Sequence, residues 1–448
     1  MVATDEIAIW QWVLVLVSGS LLLLISPLAK TAGEFFKATG KGQHQPGLWL
    51  LTGSLVISWI FAKSITNAAN LGLKYGIVGG VAYATYYLSF LFAGIIIYQL
   101  RVRGRFSSIH EFLQTSYGRA STVLFSVLIG FRLFNEVWSN TMVIGSYFGD
   151  TGSSPYYLAV VMFTILTLAY SLKGGLKSSL MTDGIQMVLF GCLLILILVA
   201  ILPDRPSGAS LFEGSWTLTG GLDLLLVALI QVFSYPFHDP VMTDRGFITD
   251  AKRMRKAFFI AVPIGFLAIV LFSLIGVHAR QIGLTGQAAV EVGKTMGVVT
   301  MLALNFIMIT SASSTLDSAF SSFSKLVVKD HTILKESLVS GRLVMVIVAL
   351  AGTVPVFFSP EILSATTVSG TMVIGLAPVF IHWKQKAGPF AFMLSVGTGI
   401  VFGTWYALGL YPPSLVFTEG SYGALLSVNL IGSVACFIAF YIGKWMKR

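Results

Sequence analysis

A chain of 448 residues that is 55% hydrophobic and only 11% charged, with mean hydropathy +0.83, is unlike a soluble globular domain and reads as an all-α polytopic membrane protein. The formal charge of +10 does not mark a nucleic-acid binder, because the basic residues are dispersed in short loops between apolar runs. Cys192 and Cys436 lie far apart inside apolar runs, which argues against a disulfide framework or a cysteine metal site.

Windows of about 20 apolar residues, the length that crosses a bilayer as a helix, predict about 13 spans. They fall near 7–27, 47–70, 76–100, 120–149, 155–172, 178–203, 220–243, 256–279, 295–325, 340–358, 362–383, 389–411 and 422–444. Asp5 and Glu6 replace a basic leader, so the first run is expected to be a retained span. The loops alternate in charge. One side carries Lys30, Lys37 and Lys41, then Arg101, Arg103, Arg105 and Arg119, and later Lys173, Lys177, Arg245 and Lys252 through Lys256. It continues through Lys325, Lys329, Lys335 and Arg342 to Lys384, Lys386, Lys444, Lys447 and Arg448. The other side has only Lys74, Arg205, Arg280 and Lys294. Basic residues accumulate on the cytoplasmic side, so this bias predicts an external N-terminus and a cytoplasmic C-terminus in the inner or plasma membrane.

Two spans look interrupted. The second reads LTGSLVISWIFAKSITNAANLG, with Lys63 where an ordinary span stays apolar. In the seventh, Pro236 and Pro240 bracket His238 and Asp239. Proline removes a backbone donor, and a broken helix frees carbonyls and amide ends for ligands. The two breaks lie five spans apart and therefore cross in opposite directions, which is the layout of a 5+5 inverted repeat. The expected organisation is a peripheral first span and loop over 1–45, repeats over 46–205 and 206–386, and two peripheral spans over 387–448.

Within the ninth span, Ser311, Ser314, Thr315 and Ser318 fall at i, i+3, i+4 and i+7, so a helix carries four hydroxyls on one face beside Asp317. Either they bond back to their own helix carbonyls and help helices pack, or they form a site for a small hard cation. The second reading is favoured by the intramembrane aspartate. Deep charges also occur at Lys63, Arg132 and Glu136. Arg132 and Glu136 stand at i, i+4, where they can satisfy one another, and Glu136 is equally a candidate partner for Lys63. His238 and Asp239 lack an accompanying nucleophile, metal spacing or phosphate loop, so no enzyme is expected.

Tyr170-Ser171-Leu172-Lys173-Gly174-Gly175-Leu176-Lys177, followed by Thr182-Asp183 and Gln186, resembles the signature of the sodium:solute symporter family. Ser311 to Ser318 resembles the hydroxyl-rich eighth helix of that family's core, and Pro236 to Arg245 resembles the segment leaving its broken helix. The resemblance covers nearly the whole chain. It implies a leucine-transporter-like inverted-repeat fold and sodium-coupled symport of a small polar solute by alternating access, with no cofactor beyond the coupling ion. Carried over, the main sodium site takes the carbonyls of Ile57, Ile60 and Ser311 and the hydroxyls of Ser314 and Thr315. A second cation site maps to Asp183, Ser314, Asp317 and Ser318, with Asp317 standing where the family has serine. That departure leaves open tighter sodium binding or a carboxylate that carries a proton. Asp183 has the alternative reading of a charge at a helix N-terminus near Ser178 and Ser179. The implied solute contacts are Lys63, Ser64, Arg132, Glu136 and Tyr235, the last as an aromatic closing the site from the cytoplasmic side.

Two other functions remain open, proton coupling on the same fold and a solute sensor that signals through a partner; the sodium-site pattern argues against a third, a membrane-embedded acyltransferase around His238 and Asp239. Charge also bears on the solute. If Glu136 is the only acid beside Lys63 and Arg132, one cation is left uncompensated, at about 2.5–3.5 kcal/mol on insertion scales. A carboxylate-bearing solute is expected on that premise.

Overall fold

The computed structural model describes residues 4–37, 45–203, 206, 208, 210–330 and 333–446, and their regular structure is entirely helical. Lys41, Arg205, Lys447 and Arg448 lie outside the described residues, as do the side chains of Asp5 and Glu6. In chain order the helices are α1 (Thr4–Ile25), α2 (Ala32–Lys37), α3 (Leu48–Trp59), α4 (Ala62–Tyr75), α5 (Ile77–Ala84), α6 (Ser89–Val102), α7 (Ile109–Gly145), α8 (Ser154–Gly174) and α9 (Leu176–Ile201). They continue with α10 (Leu222–Gln231), α11 (Pro240–Arg245), α12 (Ala251–Gln281), α13 (Ala288–Thr295), α14 (Val298–Lys325) and α15 (Leu338–Thr353). The last four are α16 (Ser364–Met372), α17 (Leu376–Ile381), α18 (Pro389–Ala407) and α19 (Gly423–Trp445).

Among the described residues, 10 helical runs are long and apolar enough to cross a membrane, and the α3–α4 pair, bent by 60°, makes up to 11. The expected seventh and eleventh spans are present as shorter pieces. The seventh is α10, a 3-10 turn over Tyr235–His238, an extended Asp239 and then α11. Pro236 is the second residue of that turn and Pro240 the first of α11, so each proline stands where its missing amide costs least. The eleventh is α16 followed by α17. Two interrupted spans therefore stand where the sequence places them.

Two compact units divide the chain. The first comprises Met1–Gly80, Leu133–Glu213 and Leu267–Ile362. At its centre is α14, packed against α9, α3, α8, α1 and α15 and buried along most of its length. Gly175 (φ 56) joins α8 to α9 with its backbone against Phe35, where an added Cβ would lie 2.5 Å from the Phe35 carbonyl oxygen. In the same unit α4 meets the end of α12 backbone to backbone. A Cβ at Gly276 would lie 1.7 Å from the Ala69 oxygen, and one at Gly72 would lie 2.2 Å from the Ser273 oxygen. Small residues of this kind let helices approach closely in lipid, where no hydrophobic force drives them together.

The second unit comprises Val81–Arg132, Gly214–Phe266 and Leu363–Arg448. Its most extensive pairing is α18 with α19, and α10 packs on α19. The Phe237 and Phe380 rings stack at 3.7 Å between centroids, holding the turn after α10 against α17.

Candidate functional site

The first unit gathers the hydroxyl stripe around the break in the second span. α3 ends at Trp59, and Ile60 (φ −82, ψ 70) leaves the helical region before α4 begins at Ala62. The Ser311 hydroxyl donates to the freed Ile60 carbonyl, joining α14 to the break. Thr315 Oγ1 donates to the Ser311 carbonyl at 3.0 Å, so the back-bonding alternative holds for this residue. It does not hold for Ser314, whose Oγ donates to Asp183 Oδ1 at 2.5 Å. Four of the five residues expected at the main sodium site are thus brought together. Ile57 lies fully buried in the last turn of α3, and no side-chain hydrogen bond among the described residues reaches its carbonyl.

Asp183 lies two turns inside α9, away from the acid-free first turn, so the helix N-terminus reading is corrected. Ser54 Oγ and Ser58 Oγ donate to its Oδ2 at 2.6 and 3.3 Å, alongside Ser314 on Oδ1. Asp317 accepts from Tyr170 OH at 2.9 Å, Ser179 Oγ at 2.8 Å and Thr182 Oγ1 at 3.1 Å. The Ser318 and Ser179 hydroxyls lie 2.9 Å apart. Asp183, Asp317, Ser314 and Ser318 are all buried to within 1% exposure, so these carboxylates are solvated by protein oxygens in place of water. An all-oxygen donor set is what a small hard cation requires, and the residues present fit one. Ser54, Ser58, Tyr170 and Ser179 were not expected as part of it. The available signal was the i, i+4 spacing of Ser54 and Ser58 on the apolar helix leading to the break.

The expected solute contacts divide between the units. In the first, Lys63 Nζ stands 2.6 Å from Glu136 Oε1 and 4.9 Å over the Phe61 ring. Asn140 Nδ2 donates to Glu136 Oε2 at 2.9 Å, while Asn140 Oδ1 accepts the Lys63 backbone amide at 3.2 Å. Asn140 thereby caps the opened end of α4 and holds the acid that neutralises its lysine. Ser64 is buried in the first turn of α4.

In the second unit, Arg132 Nη2 lies 3.3 Å from Asp239 Oδ2, with its guanidinium 5.3 Å over the Tyr235 ring. Tyr235 is buried against Tyr86 and His238, at 5.5 and 4.7 Å between ring centroids. One expectation is borne out in geometry and one is corrected here. Glu136 pairs with Lys63, and Arg132 has a long-range partner, Asp239, that helix spacing on α7 does not supply. Glu136 is also not the only deep acid, because the two prolines bring Asp239 to Arg132, and the premise of an uncompensated cation fails. His238 and Asp239 are themselves buried at 1% and 3% exposure.

No family model matches the chain, and no curated protein matches it by sequence. The solved structures it resembles define its class: a multi-pass membrane protein of the leucine-transporter-like fold. A substrate-bound, outward-open Na+-coupled sialic acid symporter superposes with a TM-score of 0.73 at 15% identity over 97% of both chains. MhsT in complex with L-phenylalanine gives 0.58 at 15% identity, over 88% of this chain and 97% of that one. Mhp1, a nucleobase-cation-symport-1 family transporter with bromovinylhydantoin bound, gives 0.58 at 13% identity, over 93% and 96%. At these identities the likeness is one of fold.

Proposed function

We propose that the chain is a secondary active transporter that couples sodium entry to uptake of a small polar solute by alternating access. The observation that carries this reading is the hydrogen-bonded junction of the Ser311–Thr315 hydroxyl face with the opened carbonyl of Ile60, one residue from a 60° bend. A cation there would join a broken helix to α14 and so tie ion occupancy to helix geometry. The proposed sodium ligands are the carbonyls of Ile57, Ile60 and Ser311 and the hydroxyls of Ser314 and Thr315, with Asp183, Asp317 and Ser318 as a second cation site. The proposed solute contacts are Lys63, Ser64, Arg132, Glu136 and Tyr235. Repeats over 46–205 and 206–386 and an external N-terminus complete the reading.

Proton coupling on the same fold is supported by one observation: the hydrogen bonds that Asp317 accepts from Tyr170, Ser179 and Thr182 all come from neutral hydroxyls. The solute is proposed only as small and polar, since the ion pairs Lys63–Glu136 and Arg132–Asp239 remove the charge argument for a carboxylate. The test is uptake by proteoliposomes of labelled sialic acid, L-phenylalanine, a hydantoin, glucose, urea and acetate, with and without an inward sodium gradient. Gradient-driven accumulation of at least one is expected. Uptake that never responds to sodium overturns the sodium reading, and a response to a proton gradient in its place establishes the alternative.

A further inference from the structure

The second unit encloses a polar relay that none of the expected site residues explains. Asn429, in the second turn of α19, donates its Nδ2 to the Leu425 carbonyl at 2.8 Å and to Thr371 Oγ1 at 3.0 Å. A carbonyl can only accept, so the Asn429 Oδ1 must face the other way, where it accepts from Gln231 Nε2 at 2.8 Å. Gln231 Nε2 also lies 3.4 Å from the Thr367 carbonyl, a second group that only accepts. Gln231 Oε1 is thereby left to accept from Tyr86 OH at 2.8 Å. Two backbone carbonyls thus settle the orientation of both amides and the direction of the tyrosine hydroxyl. Tyr86, Gln231, Thr371 and Asn429 are all buried at 3% exposure or less. Space for the Gln231 amide depends on Gly370, where a Cβ would lie 2.1 Å from its Oε1.

The relay ends at the second break. Gln231 is the last residue of α10, and its carbonyl accepts the Ser234 amide at 3.0 Å and the Ser234 hydroxyl at 3.2 Å. Tyr86, in a 3-10 turn over Thr85–Leu88, packs its ring on Tyr235, the first residue of the turn that follows. We propose that Gln231 and Asn429 are positioning residues. Asn429, on a helix outside the proposed repeats, holds the Gln231 amide so that Tyr86 fixes the place of the break and of Tyr235. The meaning of this for solute binding rests on the proposed role of Tyr235. Since each amide is oriented by the next, losing one link leaves the rest misdirected, and single substitutions act on the whole relay.

Hydrogen–deuterium exchange of the full chain in nanodiscs tests this without any solute. Tyr86→Phe removes one oxygen from a residue outside both segments being monitored. It is expected to speed exchange over 232–239 about fivefold, as loss of one buried hydrogen bond implies, and to leave 423–445 unchanged. Asn429→Leu is expected to do the same over 232–239, and the double variant no more than either alone. If Asn429→Leu does not fold, Tyr86→Phe decides. Unchanged exchange over 232–239 in Tyr86→Phe, or a change confined to 423–445 in Asn429→Leu, overturns the proposal, because polar packing alone would act locally. Tyr235→Ala separates the two readings. If the exchange results hold but Tyr235→Ala leaves the half-saturating concentration of the accumulated panel solute unchanged, the relay positions the break and the solute role of Tyr235 is what fails.

Discussion

Ser314 donates to Asp183 at 2.5 Å, and this bond links the hydroxyl face of α14 to the carboxylate of the Thr-Asp pair on α9. The same hydroxyl is proposed for the main sodium site, so the two proposed cation sites would meet at this residue. A cation on the lone pairs of the Ser314 oxygen would leave its O–H free to donate to Asp183, so this one hydroxyl can serve both.

Ser314→Ala is therefore expected to raise the half-saturating sodium concentration more than Thr315→Ala, which removes a ligand but leaves Asp183 solvated. A hydrogen bond contributes up to about 1.5 kcal/mol, so the rise for Ser314→Ala should be about 10-fold. Sodium titration of uptake by each purified variant measures it. Wild-type sodium dependence in both folded variants would show that the site is misassigned.

Sodium and proton readings of Asp317 are separable by a pH gradient. Asp317→Ser should keep transport sodium-dependent if the two carboxylates share a sodium ion, whereas Asp183→Ala should weaken coupling. If Asp317 carries a proton, wild-type uptake should respond to a pH gradient at fixed sodium and Asp317→Asn should lose that response. Uptake indifferent to the gradient would exclude the proton version.

The Lys63–Glu136 pair is buried, so removing one partner strands a charge. Lys63→Met or Glu136→Gln is expected to cost about 3–5 kcal/mol of stability, while Lys63→Met with Glu136→Leu should recover much of it. Thermal unfolding in detergent reads both. If the double variant regains stability and also transports, the pair is a structural brace and not a solute contact.

Arg132→Lys keeps a positive charge toward Asp239 but loses the planar guanidinium over Tyr235. It should raise the half-saturating solute concentration and leave the sodium titration unchanged. A shift in sodium dependence alone would remove Arg132 from the solute contacts.

The architecture was legible because membrane spans advertise themselves by length and apolarity, and because proline marks the second break directly. The hydroxyl face was legible from its helical period. Other features were hidden for physical reasons. The partner of Arg132 lies 107 residues away, and helix spacing singled out Glu136 at i, i+4 because nothing local signals a long-range acid. Ser54 and Ser58 carry little signal in the sequence, because lone serines in an apolar helix ordinarily bond to their own backbone. That they turn to Asp183 depends on how α3 meets α9, a packing fact beyond any single segment.

The Gly72 and Gly276 contact has a consequence for motion within the first unit. Main-chain atoms of α4 touch those of α12, leaving no room for a single carbon, so those two helices must travel as one piece. On the other side of the Ile60 bend, α3 is held to α9 through the Ser54 and Ser58 hydroxyls, and hydroxyl bonds can be exchanged for a metal ion without moving the main chain. Steric contact resists at any ion concentration, whereas the hydroxyl tie would loosen or tighten with occupancy of the proposed cation site. Any change in the 60° angle should therefore appear as a swing of α3 while α4 stays still, and spin labels placed on α3 and on α12 would move apart or together as sodium is added.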